Sequence, residues 1–128
     1  MSTSASQDKP TTVLVVEDQA IIRLDLVADL TGRGFNVIDA SDGDEGMRLL
    51  RHHTIDAAIL DINLPGSLTG YDLAKRIRSV RPACRVVMIS GQDLSMPLDF
   101  DEHVIVESKP LDMTKLAYVL SMRQADHA

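Results

Sequence analysis

The run Ala57-Ala58-Ile59-Leu60-Asp61-Ile62-Asn63-Leu64-Pro65 is too apolar for a surface strand until it meets an acid, and Pro65 stops any continuation. A short apolar run bounded by turn residues reads as a buried strand, central in a parallel sheet. In such sheets ligands bind beyond the carboxyl ends of the strands. Asp61 stands at that end, so it reads as part of a site.

Working outward, Thr12-Val13-Leu14-Val15-Val16 is a second buried strand and ends in Glu17-Asp18. A helix follows over about Ala20–Thr31, closed by Gly32 and Gly34, with Ile22, Leu26, Val27 and Leu30 as its core stripe. Ile21 and Leu24 fall on its opposite side, an apolar pair left facing outward. Phe35–Asp39 reads as an edge strand, and Asp44–His52 as a helix burying Met47 and Leu50, with Gly46 packed closely on the sheet. The adjacent His52 and His53 point apart at a helix end and read as solvated, not as a metal site. A loop from Pro65 to Gly70 precedes a helix over Tyr71–Val80 that buries Leu73, Ala74 and Ile77. Arg85–Ile89 is the fourth strand and delivers Ser90. Val104–Val106 is the fifth and leads to Lys109-Pro110. The last helix, about Asp112–Met122, packs Met113, Leu116, Ala117 and Leu120 and turns Tyr118 and Met122 outward. Between Gln92 and Asp101 the apolar spacing fits no long helix, and Pro97 interrupts it.

Five strands alternating with helices make an α/β fold, a doubly wound five-stranded parallel sheet whose fourth helix is shortened or irregular. With 128 residues the chain is one domain. Residues 1–11 read as a flexible tail, 12–122 as the domain and 123–128 as a polar C-terminal tail, which leaves no room for an output domain. No apolar run reaches the roughly 18 residues of a membrane span, and the Ser/Thr-rich N-terminus is not a signal peptide. The net charge of −6 argues against direct nucleic-acid binding. One cysteine, Cys84, allows no internal disulfide and suits a reducing cytosol.

Four strands thus end at Glu17-Asp18, Asp61, Ser90 and Lys109, and the architecture brings those ends to one edge. Carboxylates about 4 Å apart repel by on the order of 4 kcal/mol per pair at an effective dielectric near 20. A hard dication relieves this, and Mg²⁺, or Mn²⁺ in its stead, takes one or two carboxylates plus waters and phosphate oxygens. An Asp carboxylate can also be a nucleophile that forms an acyl phosphate. Lys109 would neutralise charge on a moving phosphoryl group, and the Ser90 hydroxyl would donate to one of its oxygens. Together these residues make a complete site for receiving a phosphoryl group.

The order Glu17-Asp18, Asp61, Ser90, Lys109-Pro110 resembles the receiver domain of bacterial two-component response regulators, over about residues 12–122. The resemblance implies a flavodoxin-like sheet of order 2-1-3-4-5. It makes Asp61 the phosphoacceptor, charged by a histidine kinase or histidine phosphotransfer protein. Glu17 and Asp18 become the acidic pair that binds Mg²⁺, joined by the backbone carbonyl of Asn63. Ser90 becomes the switch hydroxyl and Lys109 the family lysine, its bond to Pro110 expected to be cis. The implied protein is a cytoplasmic stand-alone receiver, a phosphoacceptor regulator and not an enzyme. It acts on an unidentified downstream protein or as a phosphate relay, with a homodimer through the Tyr118 and Met122 patch as an option. Receivers also use the side of Ile21 and Leu24 for docking the donor.

Three features depart from the family pattern. The Asp61–Gly70 loop is one residue longer than the commonest form. The Ser90–Lys109 spacing is about three residues shorter. Val106 stands where many receivers carry an aromatic switch residue, so ordering of the Gly91–Asp101 segment is the expected output. Alternatives from other classes are an Asp-nucleophile phosphatase, for which Asn63 supplies no second acid, a flavodoxin-like electron carrier, and a phosphorylation-independent binding module.

Overall fold

The computed structural model describes residues 9–91 and 104–122. Its strands are β1 (Thr12–Val16), β2 (Asn36–Ala40), β3 (Ala57–Asp61), β4 (Arg85–Ser90) and β5 (Val104–Ser108). Its helices are α1 (Ala20–Gly32), α2 (Gly43–His52), α3 (Gly70–Val80) and α4 (Met113–Ser121). All strand pairs are parallel, and the order is β2-β1-β3-β4-β5, the flavodoxin-like order expected. The readings for residues 92–103, including the shortened helix and the loop expected to carry the output, lie outside the described residues. So do those for residues 1–8 and 123–128.

The apolar runs explain the order. β3 and β4 are buried at every position and β1 at four of five, whereas β2 and β5 expose residues along their length. A strand covered on both faces carries no alternation, and only edge strands tolerate polar positions. Successive side chains go to opposite faces. Leu14, Val16, Ala58, Leu60, Val86 and Met88 therefore pack with Leu50 of α2 and Leu73, Ala74 and Ile77 of α3. Val13, Val15, Ala57, Ile59, Val87 and Ile89 pack on the other face with Leu26 and Leu30 of α1 and Leu116 and Leu120 of α4. Each fully buried large aliphatic side chain contributes about 1.5–3 kcal/mol.

Element ends differ from the sequence reading by one or two residues, for identifiable reasons. β2 begins at Asn36, which pairs with Thr12, because the Phe35 amide still donates to Leu30 of α1. β5 runs on to Ser108 because Glu107 and Ser108 pair with Ile89 and Ser90 of β4. Asp42 accepts from the Glu45 amide, and Thr69 with Asp72 forms a reciprocal capping box, so α2 and α3 each start at a glycine. Asp112 is the cap of α4, not its first residue. Val27 and Ala117 are only half-buried, and Met47 packs at the margin of the core. Cys84 is buried, and burial pushes its thiol up to about 12, which leaves it unreactive. Among the described residues no helix is long and apolar enough to cross a membrane.

Two glycines are fixed by close approach. A Cβ on Gly46 would stand 3.0 Å from Val16 Cγ2, the tight helix–sheet packing expected there. At Gly70 a Cβ would stand 1.9 Å from the carbonyl oxygen of Asp61, a backbone atom that cannot step aside. Gly70→Ala is therefore expected to destabilise the domain by about 3 kcal/mol, the upper end for overpacking. Urea denaturation with an unchanged m-value is the measurement, and a loss under about 0.5 kcal/mol would contradict the rigidity of this contact.

Candidate functional site

The site is built from the carboxyl ends of the strands. The turn after β1 carries Glu17 and Asp18, β3 ends at Asp61, β4 ends at Ser90, and the segment after β5 carries Lys109. One carboxylate oxygen from each of Glu17, Asp18 and Asp61 lies within 4.8 Å of the other two. Glu17 and Asp61 are buried, and Asp18 is exposed. Ser90 is buried at the end of β4, the strand paired with β3, its carbonyl accepting from the Lys109 amide at 2.9 Å. The Lys109–Pro110 bond is cis, as expected.

Hydrogen bonds aim the carboxylates. The Gln19 amide donates to Glu17 Oε2 at 3.0 Å, and the Asn63 amide donates to Asp61 Oδ1 at 2.9 Å. Lys109 Nζ lies 3.4 Å from Asp61 Oδ2 and 3.6 Å from Glu17 Oε1. Beyond that ion pair, Glu17 Oε1 is buried with no hydrogen-bond partner. Burial holds the Glu17 carboxyl above the usual carboxylate range. The Gln19 amide opposes that shift, the Asp61 carboxylate adds to it, and Lys109 opposes it. A buried orphan oxygen in an all-carboxylate cluster fits a hard dication: oxygen donors suit Mg²⁺, and one positive ion would satisfy Oε1 and relieve the repulsion.

The strand ends thus bring Glu17, Asp18 and Asp61 together, and Lys109 is within ion-pair range of Glu17 and Asp61. For Asn63 the structure adds the hydrogen bond its backbone amide donates to the Asp61 carboxylate. His52 and His53 are exposed and join no cluster of metal-ligating residues among those described. Arg23 was not singled out in the sequence, yet its Nη1 donates to the Glu17 carbonyl at 2.8 Å. The only sequence signal was a cation inside the core stripe of α1, on the bearing of Leu30 and Val27, which does not name its partner.

The chain matches the family model of the response regulator receiver domain across residues 13–120. The transcriptional regulatory protein PdtaR of Mycobacterium tuberculosis H37Rv is 38% identical over 96 residues, covering 73% of this chain and 46% of that protein. A response regulator receiver protein from Sinorhizobium medicae superposes with a TM-score of 0.81 at 28% identity, covering 88% of this chain and 93% of that one. Response regulator protein TrrA of Thermotoga maritima, solved in complex with Mg²⁺-BeF, superposes at 0.68 with 24% identity, covering 84% and 96%. The chain spans less than half the length of the curated relatives it matches.

A carboxyl held above its ordinary range favours folding where it is protonated. For Glu17 that contribution is complete below the unfolded value near 4.5 and is lost as pH rises through the folded value. At neutral pH without metal, Glu17→Gln is thus expected to raise the thermal midpoint by a few degrees and to flatten its pH dependence. Mg²⁺ at ten times its Kd should stabilise the parent protein by about 1.4 kcal/mol and the variant far less. Calorimetric scans between pH 4 and 8, with and without Mg²⁺, check both signs.

Proposed function

The chain belongs to the response regulator receiver domain family, and from that premise we propose that it is charged on Asp61 by a histidine kinase or histidine phosphotransfer protein, with Mg²⁺ held by Glu17, Asp18 and Asp61. The carrying observation is the cluster itself: three carboxylates within 4.8 Å, with Lys109 Nζ 3.4 Å from the proposed acceptor. The carbonyl of Asn63 completes the proposed metal ligands. In transfer, an Asp61 oxygen attacks phosphorus as the bond from phosphorus to the donor imidazole nitrogen breaks, and the imidazole leaves with that electron pair. Asn63 and Lys109 hold the Asp61 carboxylate in place, and the Lys109 ammonium offsets charge on the phosphoryl oxygens. Ser90 donates its hydroxyl to one of those oxygens. Bound Mg²⁺ would supply further charge neutralisation between the acids and the phosphoryl group.

On this reading the chain is a signalling acceptor, with at most self-phosphorylation and self-dephosphorylation as chemistry of its own. The setting proposed is cytoplasmic, and the output is contact with a downstream protein or relay of the phosphoryl group. The domain is assigned to residues 12–122. Val106 is exposed on β5 and offers no aromatic ring, and Tyr118 and Met122 are exposed on and just after α4, where they suit a partner or a second copy.

Intact mass measured after incubation with Mg²⁺ and a small phosphodonor tests the acceptor. A single phosphoryl adduct is expected, lost in excess chelator and absent in Asp61→Asn. An adduct that persists in Asp61→Asn would move the acceptor elsewhere, and no adduct at all would favour a phosphorylation-independent binding module.

Donor docking is proposed on α1, where Ile21 is 78% and Leu24 59% exposed. Replacing Ile21 and Leu24 together with Ser should slow transfer from a phosphorylated donor protein about tenfold, equivalent to about 1.4 kcal/mol, and leave small-molecule phosphorylation unchanged. Equal rates from the protein donor would remove α1 from the interface.

A further inference from the structure

Among the described residues, Arg23 is the cation bonded to the backbone of the acidic turn. Its side chain is mostly covered, and its fork makes two different bonds. Nε donates to Asp39 Oδ2 of β2 at 3.1 Å, while Nη1 donates to the carbonyl oxygen of Glu17 at 2.8 Å. The Glu17 amide in turn donates to the carbonyl of Ala40, the residue after Asp39, at 3.1 Å. Glu17 is thus held at both backbone ends against the last residues of β2.

The carbonyl that Arg23 grips belongs to the peptide group joining Glu17 to Asp18. That group is planar and rotates as a unit. Rotating it would swing the two acids relative to each other and break their shared approach to Asp61. An exposed ion pair alone contributes little, typically under about 1 kcal/mol, and leaving Arg23 out would remove the carbonyl's side-chain donor. A bare cation this close to a dication site would repel the ion. Asp39 offsets that charge, so the fork orients the peptide without setting a net positive charge behind the acids.

We propose that Arg23, anchored by Asp39, is a positioning residue for metal binding: it fixes the Glu17–Asp18 peptide so that both carboxylates face Asp61. This rests on the metal reading given above and goes beyond it, because neither Arg23 nor Asp39 is among the ligands. Outer groups that orient ligands typically carry 10–100-fold of metal affinity. Lysine cannot replace the fork, since it offers a point charge in place of a rigid, two-pronged donor.

The test is a Mg²⁺ titration of the full chain followed by backbone amide shifts, with thermal midpoints measured in parallel. Parent protein, Arg23→Gln, Arg23→Lys and Asp39→Asn are compared at a temperature where all are folded. Arg23→Gln is expected to weaken Mg²⁺ binding about tenfold. Asp39→Asn should weaken it in the same direction, and Arg23→Lys should recover less than half of the loss. A parent that binds no Mg²⁺ would overturn the metal reading itself. With a binding parent, unchanged affinity in Arg23→Gln, even at a lower thermal midpoint, would reduce Arg23 to a structural tie and overturn the proposal. Tighter binding would overturn it too, by showing that charge repulsion outweighs orientation. So would full recovery in Arg23→Lys, which would make charge and not orientation the cause.

Discussion

Lys109 Nζ stands between two buried carboxylates, 3.4 Å from Asp61 and 3.6 Å from Glu17, with Asp18 at the rim of the same cluster. Repulsion of on the order of 4 kcal/mol per pair near 4 Å is comparable with the 5–15 kcal/mol that a whole domain has in hand. One cation cannot cancel three acids, so the remainder is borne by the scaffold. β3 and β4 are covered on both faces, and the amides of Gln19 and Asn63 pin one oxygen of each buried acid. The rigidity of the sheet is what allows the acids to be held together at all.

The fold was legible because its inner strands are written without alternation. Ala57–Leu60 and Val86–Ile89 have no polar residue to confuse the period, and each run stops at a polar residue, Asp61 or Ser90. Asp61, Ser90 and Lys109 could be placed on one edge from chain order alone, since parallel strands all finish on the same side. The polar ends of edge strands were harder. Glu107 and Ser108 look like loop residues until β4 is beside them to pair with. Arg23 was illegible for a related reason. Its partner Asp39 lies sixteen residues away, on a strand whose neighbour is known only once the sheet is assembled. A hydrophobic pattern reports burial, and it is silent on which backbone carbonyl a cation will find.

The Asp61–Gly70 loop shows how a loop can be as constrained as a strand. Leu64 and Leu68 are both buried, the Gly70 amide bonds to the Ile62 carbonyl at 3.0 Å, and the glycine leaves no space beside Asp61. A backbone anchored at both ends and packed in the middle brings the Asn63 amide to the Asp61 carboxylate without ordering the loop anew. The placement of the acid is thus shared between the strand before it and the helix start after it.

Asp39 has a second consequence, which concerns other molecules of the same chain. β2 is an outer strand of the sheet, and an outer strand presents unpaired backbone groups that can recruit a strand from another chain. Asn36 and Asp39 are the exposed positions along it, and a charge there discourages such pairing. A neutral residue at position 39 would therefore loosen the hold on Arg23 and at the same time soften the barrier to edge-to-edge aggregation. Solubility at high concentration and the orientation of the acidic turn are tied to the same carboxylate.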